Sequence, residues 1–370
     1  MSLDLDLVAA AGAASAGADR LYRILSDDGS ALEADPPDIP DKDLVAVMAE
    51  MVKARVANGR FFSLQRQGRA GTYAPIEGQE AAVVGAVAAL DPARDWVLPQ
   101  YREPVALGRY GPEVLRTYAL YQRGHPAGGH FPAPIRVFPV QISLAAQIPH
   151  ALGLAWAMQL KGEAGVACAF FGDGASSEGD FYEAGNFAGV LGAPVLFLCV
   201  NNGWAISTPL HTQTAAPSFA AKAAAFGFPG VRVDGNDALA MISVVAAARE
   251  RAVAGGGPTL VEAVTFRMGP HTTADDPKRY QAPEERAAWE GRDPIRRLRR
   301  HLEGRGLWSD ERQAAAEAAA GAEVDAAWDR AEAMTVSPDA FFDHVYAEPT
   351  PRMRVQRAEV RSRFGLGPEA

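Results

Sequence analysis

The chain has 370 residues, of which 48% are apolar and 22% are charged, and its formal net charge is −9. This length and apolar fraction allow one large α/β unit with terminal extensions. The net negative charge argues against a general role in binding nucleic acids or anionic membranes. No stretch approaches the roughly twenty uninterrupted apolar residues of a membrane span, so we expect a soluble protein.

The first forty residues predict a flexible tail and an extended link. Residues 1–19 are rich in Ala, Gly and Asp and contain no Lys or Arg, so they lack the basic region of a secretory signal or transit peptide. Residues 21–29 predict a short strand and turn, and the prolines at 36, 37 and 40 predict an extended link. Cys168 and Cys199 fall in apolar runs, which predicts buried reduced thiols and a cytoplasmic location.

A long amphipathic helix is predicted from Asp41 to a break near Gly68, because apolar residues recur there at helical spacing. Residues 96–99 predict a strand. The segment 123–138 is rich in Gly, Pro and His and predicts a loop. His125 and His130 in this loop are both candidates for an active-site histidine, and the sequence does not choose between them or exclude plain loop histidines.

The segment 166–208 predicts a strand–helix–strand unit with polar residues at both strand ends. The apolar run 166–171 stops at Gly172-Asp173-Gly174, and the apolar run 195–200 stops at Asn201-Asn202. In open α/β sheets, ligands bind at the carboxyl ends of the strands. Carboxylate and amide oxygens are hard ligands suited to a Mg²⁺ that also holds phosphates. The unit therefore predicts a metal and phosphate site.

A second chemical cluster follows a later predicted strand over residues 259–266. It contains Arg267 and His271, and an imidazole that titrates near neutrality can both donate and accept protons. Together with a strand near 231–233 and the helices between, the pattern predicts an α/β fold with helices on both faces of a mainly parallel sheet. Residues 296–301 predict a helix with a basic face, and residues 314–334 an exposed helix. The apolar pairs at 341–342 and 345–346 predict either core or a partner-docking face.

These motifs carry a family resemblance. Gly172-Asp173-Gly174 followed by Asn201-Asn202 resembles the diphosphate motif of thiamine-diphosphate enzymes. Residues 179–183, 205–208 and 269–272 resemble the α subunit of the decarboxylating first component of 2-oxoacid dehydrogenase complexes. The resemblance covers roughly residues 40–350 and implies a thiamine-diphosphate-binding fold, with a domain over 41–350, a tail and link over 1–40 and a C-terminal tail over 351–370.

The resemblance also implies a reaction and partners. It implies thiamine diphosphate and Mg²⁺ as cofactors, and oxidative decarboxylation of pyruvate or a branched-chain 2-oxoacid, with pyruvate slightly favoured. The acyl group would pass to a lipoyl group of a dihydrolipoyl acyltransferase core. A β subunit would supply the carboxylate that activates the cofactor, in an α2β2 heterotetramer. An acetoin dehydrogenase α subunit and a non-catalytic cofactor-binding assembly subunit are the alternatives.

Individual residues take roles by the same resemblance. Asp173, Asn202 and the backbone carbonyl of Trp204 would hold Mg²⁺, and His271 would serve proton and acyl transfer. Cofactor contacts are implied for Tyr101, Arg102, Ile142, Leu144, Gly172, Gly174, Ala175 and Arg267, and substrate contacts for Tyr73 and Phe266. Thr272 stands where mammalian relatives carry a regulatory phosphoserine, and no such regulation is predicted.

Overall fold

The structure, a computed structural model, describes residues 21–32, 39–343 and 345–367. Its centre is a sheet of five parallel strands in the order β1-β2-β3-β7-β6. These strands are β1 Trp96–Leu98, β2 Ala167–Gly172, β3 Val195–Asn201, β6 Gly230–Asp234 and β7 Thr259–Val264. A small antiparallel hairpin, β4 Trp204–Ala205 with β5 Thr208–Pro209, follows β3. The predicted parallel sheet is confirmed.

Helices connect the strands and extend the chain at both ends. They are α1 Asp41–Arg66, α2 Glu80–Ala88, α3 Pro112–Gln122, α4 Gln147–Lys161, α5 Gly179–Leu191, α6 Leu210–Gln213, α7 Ala238–Arg251, α8 Pro283–Glu290, α9 Pro294–Gly304, α10 Asp310–Ala333 and α11 Pro351–Arg363. The long helix predicted from Asp41 is confirmed and ends at Arg66. Within the described ranges, no helix combines the length and apolar character needed to cross a bilayer.

The sheet has an apolar layer on each face because successive strand residues point to opposite sides. Cys168 and Leu198 belong to one cluster, which includes residues of α1, α2, α7 and α10. Phe171 and Cys199 belong to the other, which includes residues of α4 and α5. Both cysteines are therefore buried free thiols on opposite faces, as predicted. Burial raises the pKa of each thiol.

The segment 21–32 joins the folded unit beside β6. Tyr22 forms a parallel bridge with Val233, and Ile24 and Leu25 are buried. The backbone N–H groups of Ile24 and Leu25 donate to Asp237 Oδ2 at 2.7 and 2.6 Å. In place of the predicted short strand there are two isolated bridges, Tyr22 with Val233 and Leu25 with Ala31, and the predicted turn lies between Leu25 and Ala31. The tail predicted over residues 1–19 lies outside the described residues.

Two expectations about the C-terminal helices need correction. The basic face predicted for α9 is not wholly exposed, because Arg297 is only 1% exposed and its Nη1 lies 3.0 Å from Asp234 Oδ2. Helix α10 is not exposed on all sides, since Val324 and Trp328 are buried and the Trp328 ring packs 6.1 Å from that of Phe61.

The apolar pairs near the C-terminus lie outside the core. Phe341 is 77% exposed, and Val345 and Tyr346 are exposed as well. The sequence predicted either a core position or a partner-docking face for these pairs. A core position is excluded for these three side chains.

Candidate active site

The carboxyl ends of three adjacent strands bring the predicted motifs to one edge of the sheet. The register pairs Gly172 of β2 with Val200 of β3, and Asn201 of β3 with Val264 of β7. The loops that follow these strands therefore start side by side. A cavity of about 770 Å³ opens at this edge.

Most of the predicted site residues line this cavity. They are Tyr101, Arg102, Ile142, Leu144, Gly172, Asp173, Gly174, Ala175, Asn202, Trp204 and His271. Tyr73, Phe266 and Arg267 do not line it. The same cavity wall includes residues for which no role was predicted, among them Gln79, Gln100, Tyr121 and Gln122. Neither His125 nor His130 is part of it.

Asp173 is a buried carboxylate at the start of the loop after β2. It accepts a hydrogen bond from Gln213 Nε2 at 2.6 Å. Burial is the main cause that raises the pKa of this carboxyl group, and this hydrogen bond lowers it in part. A divalent cation at this point would favour the ionised form by direct attraction. The local environment therefore suits a metal ligand.

The other two predicted metal ligands follow β3. Asn202 Oδ1 accepts the backbone N–H of Trp204 at 3.2 Å, and Asn202 Nδ2 donates to Gln79 Oε1 at 3.1 Å. The carbonyl oxygen of Trp204 accepts from Arg267 Nη1 at 3.1 Å. Amide and carbonyl oxygens each have a second lone pair, so both oxygens retain capacity to bind a cation.

No group of three or more His, Cys, Asp or Glu side chains arranged for a metal occurs in the described part of the chain. The predicted site is of a different kind, with one carboxylate, one amide oxygen and one backbone carbonyl. This all-oxygen set, completed by phosphate oxygens, suits Mg²⁺, which is usually bound through one or two carboxylates plus phosphates.

The loop after β2 packs tightly against the β4–β5 hairpin. Asp173–Ser177 forms a 3-10 helix, and a Cβ atom added to Gly174 would lie 2.8 Å from Ala205 Cβ. A glycine is therefore required for this close approach. On the other side of the loop, the Gly172 N–H donates to Gln100 Oε1 at 3.2 Å. The loop is held between the end of β1 and the hairpin.

Arg102 and His271 form a direct pair at the cavity wall. Arg102 Nη2 lies 2.9 Å from His271 Nδ1 and donates to the His271 carbonyl at 2.9 Å, while Nη1 donates to the Pro75 carbonyl at 2.6 Å. The Tyr101 ring meets the imidazole edge to face at 6.1 Å. Burial, then the nearby Arg102 and Arg267 cations, lowers the pKa of His271 to about 3. The histidine is neutral at physiological pH.

Arg267 supports the site from behind the cavity wall. Its Nη2 donates to the Ile206 carbonyl at 2.7 Å and to the Tyr280 hydroxyl at 2.6 Å. Tyr280 in turn donates to Asp275, which accepts the backbone N–H of His271 at 2.6 Å. Arg267 therefore ties the β4–β5 hairpin to the loop that carries His271. Its Nε is buried and has no hydrogen-bond partner among the described residues.

The two residues predicted to contact substrate lie away from the main cavity. The Phe266 ring stacks on Trp289 at 5.6 Å and borders a separate cavity of about 450 Å³. Tyr73 is buried, and its hydroxyl donates to Asn58 Oδ1 at 3.1 Å. Thr72 lines the main cavity instead. Adjacent side chains of an extended segment point to opposite sides, which explains why Thr72 lines the cavity and Tyr73 does not.

Two glutamines are the main site residues without a predicted role. Gln79 Nε2 and Gln100 Nε2 are buried and have no hydrogen-bond partner among residues 21–32, 39–343 and 345–367. Unpaired buried donors on a cavity wall suit the acceptor oxygens of an anionic ligand such as a diphosphate. The sequence offered one signal for Gln100, since it follows β1 as Asp173 follows β2.

The chain is similar to known proteins over most of its length. The model of the family described as "Dehydrogenase E1 component" matches residues 48–338. The pyruvate dehydrogenase E1 component subunit alpha of Staphylococcus aureus is 45% identical over 295 residues, which is 79% of each chain. The protein of the same name from Staphylococcus epidermidis is 42% identical over 333 residues, or 89% of each chain. The chain belongs to the dehydrogenase E1 component family, whose members depend on thiamine diphosphate and whose α subunits work with a β subunit.

Proposed function

We propose that this chain is the α subunit of a 2-oxoacid dehydrogenase that uses thiamine diphosphate and Mg²⁺ to decarboxylate pyruvate oxidatively. The observation that carries the proposal is the meeting of Asp173, Asn202, the Trp204 carbonyl and a neutral His271 at one cavity. Pyruvate is chosen as the first substrate because the relatives at 42–45% identity are named for it. The acyl acceptor is a lipoyl group of a dihydrolipoyl acyltransferase core.

The metal and the diphosphate are assigned to the loops after β2 and β3. Asp173, Asn202 Oδ1 and the Trp204 carbonyl would hold Mg²⁺. Gln79 and Gln100 line the same cavity, and their amide nitrogens, which have no partner among the described residues, would donate to phosphate oxygens. When bound, thiamine diphosphate supplies the carbon nucleophile and the electron sink that decarboxylation of a 2-oxoacid requires. The protein supplies binding, orientation and electrostatics.

His271 is assigned to proton handling. Arg102 occupies Nδ1, so the ring holds its proton at Nε2 and can donate a hydrogen bond or the proton to an oxygen of the reacting group. A depressed pKa keeps the imidazole uncharged beside two arginines. The neutral ring therefore presents its Nε2–H group as a hydrogen-bond donor.

The carboxylate that activates the cofactor is assigned to the β subunit. Of the residues that line the cavity, the carboxylates are Asp173 and Glu103. Glu103 Oε2 already accepts the backbone N–H of Gln100 at 2.9 Å, beside β1. Ile142 and Leu144 are 60% and 39% exposed at the cavity, so this apolar border is open to a companion subunit. The chain is expected to be inactive alone, in an α2β2 assembly.

The domain over residues 41–350 and a cytoplasmic location complete the proposal. The location rests on the two buried, unoxidised cysteines.

The test is a substrate panel measured with and without the β subunit. Oxidative decarboxylation of pyruvate and branched-chain 2-oxoacids, and oxidative cleavage of acetoin, are followed with an artificial electron acceptor, with and without thiamine diphosphate and Mg²⁺. We expect cofactor-dependent turnover of pyruvate by the complex only. Preference for acetoin would reassign the enzyme within the same framework. Absence of cofactor-dependent turnover of any substrate would contradict the proposal, and full complex activity with Asp173→Ala would indicate a non-catalytic subunit.

A further inference from the structure

Building on the proposed function, we infer that Gln79 is a positioning residue for the metal site. It fixes the side-chain amide of Asn202 so that the oxygen, and not the nitrogen, is available to the cation. The contact is a 3.1 Å hydrogen bond from Asn202 Nδ2 to Gln79 Oε1. Both side chains are buried, and both line the main cavity.

The orientation of both amides follows from one backbone group. The Trp204 N–H can only donate, so the Asn202 atom 3.2 Å away must be the amide oxygen. The Asn202 nitrogen then faces Gln79 and must donate to it, so the Gln79 atom in that contact is its oxygen. Gln79 Nε2 is consequently the free end, and it is the atom left unpaired.

The backbone beside Gln79 is held by residues that follow β7. The Thr265 hydroxyl donates to the Gly78 carbonyl at 2.8 Å, and the Met268 N–H donates to the Glu77 carbonyl at 3.1 Å. Gly78 has φ +90°, and a Cβ atom there would lie 2.5 Å from the Phe266 carbonyl oxygen. This close approach sets the position of the backbone from which the Gln79 side chain reaches Asn202.

The physical role has two parts. An acceptor at Gln79 prevents the Asn202 amide from rotating its NH₂ group toward the cation, where it could not act as a ligand. Removing a residue that hydrogen-bonds to a metal ligand commonly changes metal affinity by about 10–100-fold. The free Nε2 of Gln79 adds a donor on the cavity wall for an oxygen of the bound anion.

Two substitutions of Gln79 separate these parts. Gln79→Met keeps the length and removes both the acceptor and the donor, whereas Gln79→Glu keeps the acceptor and removes the donor. Affinities for Mg²⁺ at saturating thiamine diphosphate, and for thiamine diphosphate at saturating Mg²⁺, are measured by titration calorimetry on the complex with the β subunit. We expect Gln79→Met to weaken Mg²⁺ binding by about 10–100-fold. Gln79→Glu should retain Mg²⁺ affinity and weaken only thiamine diphosphate binding.

A matched control and a second background keep the test specific. Gln147→Met removes another buried amide, which donates to the Phe170 carbonyl and does not line the cavity. It should lower the unfolding midpoint without changing Mg²⁺ affinity. In an Asn202→Asp background both carboxylate oxygens are equivalent, so adding Gln79→Met should have little further effect on Mg²⁺ affinity.

Three results would overturn the inference while leaving the proposed function intact. They are unchanged Mg²⁺ affinity in Gln79→Met, equal loss of Mg²⁺ affinity in Gln79→Met and Gln79→Glu, and a full Gln79→Met effect in the Asn202→Asp background. If Gln79→Met does not fold, loss of Mg²⁺ affinity in Gln79→Glu alone contradicts the positioning role. Absence of Mg²⁺-dependent thiamine diphosphate binding in the wild-type complex would instead contradict the proposed function.

Discussion

Arg102 Nη2 lies 2.9 Å from His271 Nδ1, and this contact decides which imidazole nitrogen carries the proton. A guanidinium group can only donate, so Nδ1 accepts and the proton is at Nε2. Burial is the main cause that lowers the pKa of His271 to about 3, and the Arg102 and Arg267 cations lower it further by opposing a second proton on the ring. Arg102 therefore sets the tautomer of the predicted catalytic histidine and contributes to its neutral charge.

Arg102→Met should raise the pKa of His271. Burial and Arg267 still lower this pKa, so it should rise above about 3 and stay below its usual value of about 6.5. At saturating thiamine diphosphate, the pH profile of kcat/KM for Arg102→Met should show a new titration on the acid side, with an apparent pKa above 3, in a limb that the wild-type complex lacks. The double variant Arg102→Met/His271→Gln should lose this limb. Identical pH profiles for wild type and Arg102→Met would contradict the assignment.

His271→Gln should lower the activity of the complex. A positioned proton donor commonly contributes about 10²–10⁴-fold to the rate, so a loss of this size in kcat is expected with thiamine diphosphate affinity largely kept. His130→Gln, on an exposed loop residue outside the cavity, is the control and should keep wild-type kcat. A fall in kcat below tenfold for His271→Gln would argue against its role in proton transfer.

The same substitution should also make the protein less sensitive to acid. Because the pKa of His271 is depressed on folding, the unfolded chain binds a proton that the folded chain does not, between pH about 6.5 and about 3. The stabilising contribution is thus present above pH 6.5 and is lost as the pH falls. Urea unfolding at pH 7.5 and 5.5 should show a smaller difference for His271→Gln than for wild type or His130→Gln. Equal differences would contradict the depressed pKa.

Asp173→Asn should separate stability from cofactor binding. Burial raises the pKa of this carboxyl group, so its ionised form is disfavoured in the folded chain without metal. The neutral amide should therefore leave the unfolding free energy of the metal-free protein unchanged or raised at pH 7. Mg²⁺-dependent thiamine diphosphate binding should weaken by more than roughly 100-fold, the loss typical of removing a residue that only hydrogen-bonds to a metal ligand. Glu178→Gln, an exposed neighbour, should change neither quantity. Wild-type cofactor affinity in Asp173→Asn would remove this residue from the metal site.

Gly174→Ala should weaken cofactor binding by displacing the hairpin that carries the Trp204 carbonyl. The new Cβ atom would lie 2.8 Å from Ala205 Cβ, so the loop and the hairpin must separate. Ala205→Gly removes the opposing atom and leaves Ala205 Cα as the next contact, at 3.6 Å. Calorimetric affinity for thiamine diphosphate with Mg²⁺ should fall in Gly174→Ala and recover in Gly174→Ala/Ala205→Gly. No recovery in the double variant would mean that the clash is not the cause.

Arg297→Met should destabilise the chain because it removes a buried cation from beside Asp234 and Asp237, of which Asp234 keeps its pair with Arg23. Arg297 Nη1 lies 3.0 Å from Asp234 Oδ2, and its Nε donates to the Ser26 carbonyl at 2.8 Å. Removing one partner of a buried ion pair costs about 3–5 kcal/mol of unfolding free energy. Arg299→Met on the same helix breaks a more exposed pair with Glu303 and should cost about 1 kcal/mol or less. Equal effects of the two substitutions in urea unfolding would contradict the burial argument.

The sequence by itself was enough to predict the parallel sheet and the two strand ends at which the candidate site lies. Apolar runs that stop at Gly172-Asp173-Gly174 and at Asn201-Asn202 predict parallel strands with hard oxygen ligands at their carboxyl ends, and the structure has β2 and β3 there. The second chemical cluster, which contains His271, follows β7. The strand predictions succeed because strand periodicity is a local property of the chain.

Only the tertiary structure decided which neighbouring side chains face the cavity. Gln79 and Gln100 look like ordinary polar residues in sequence, and their unpaired donors become visible only when strand ends meet. Phe266 packs on Trp289 instead of lining the main cavity, and Arg297 is buried within a basic run. The physical reason is that side-chain direction depends on register and packing between segments distant in sequence, and a single position's shift moves a side chain to the opposite face.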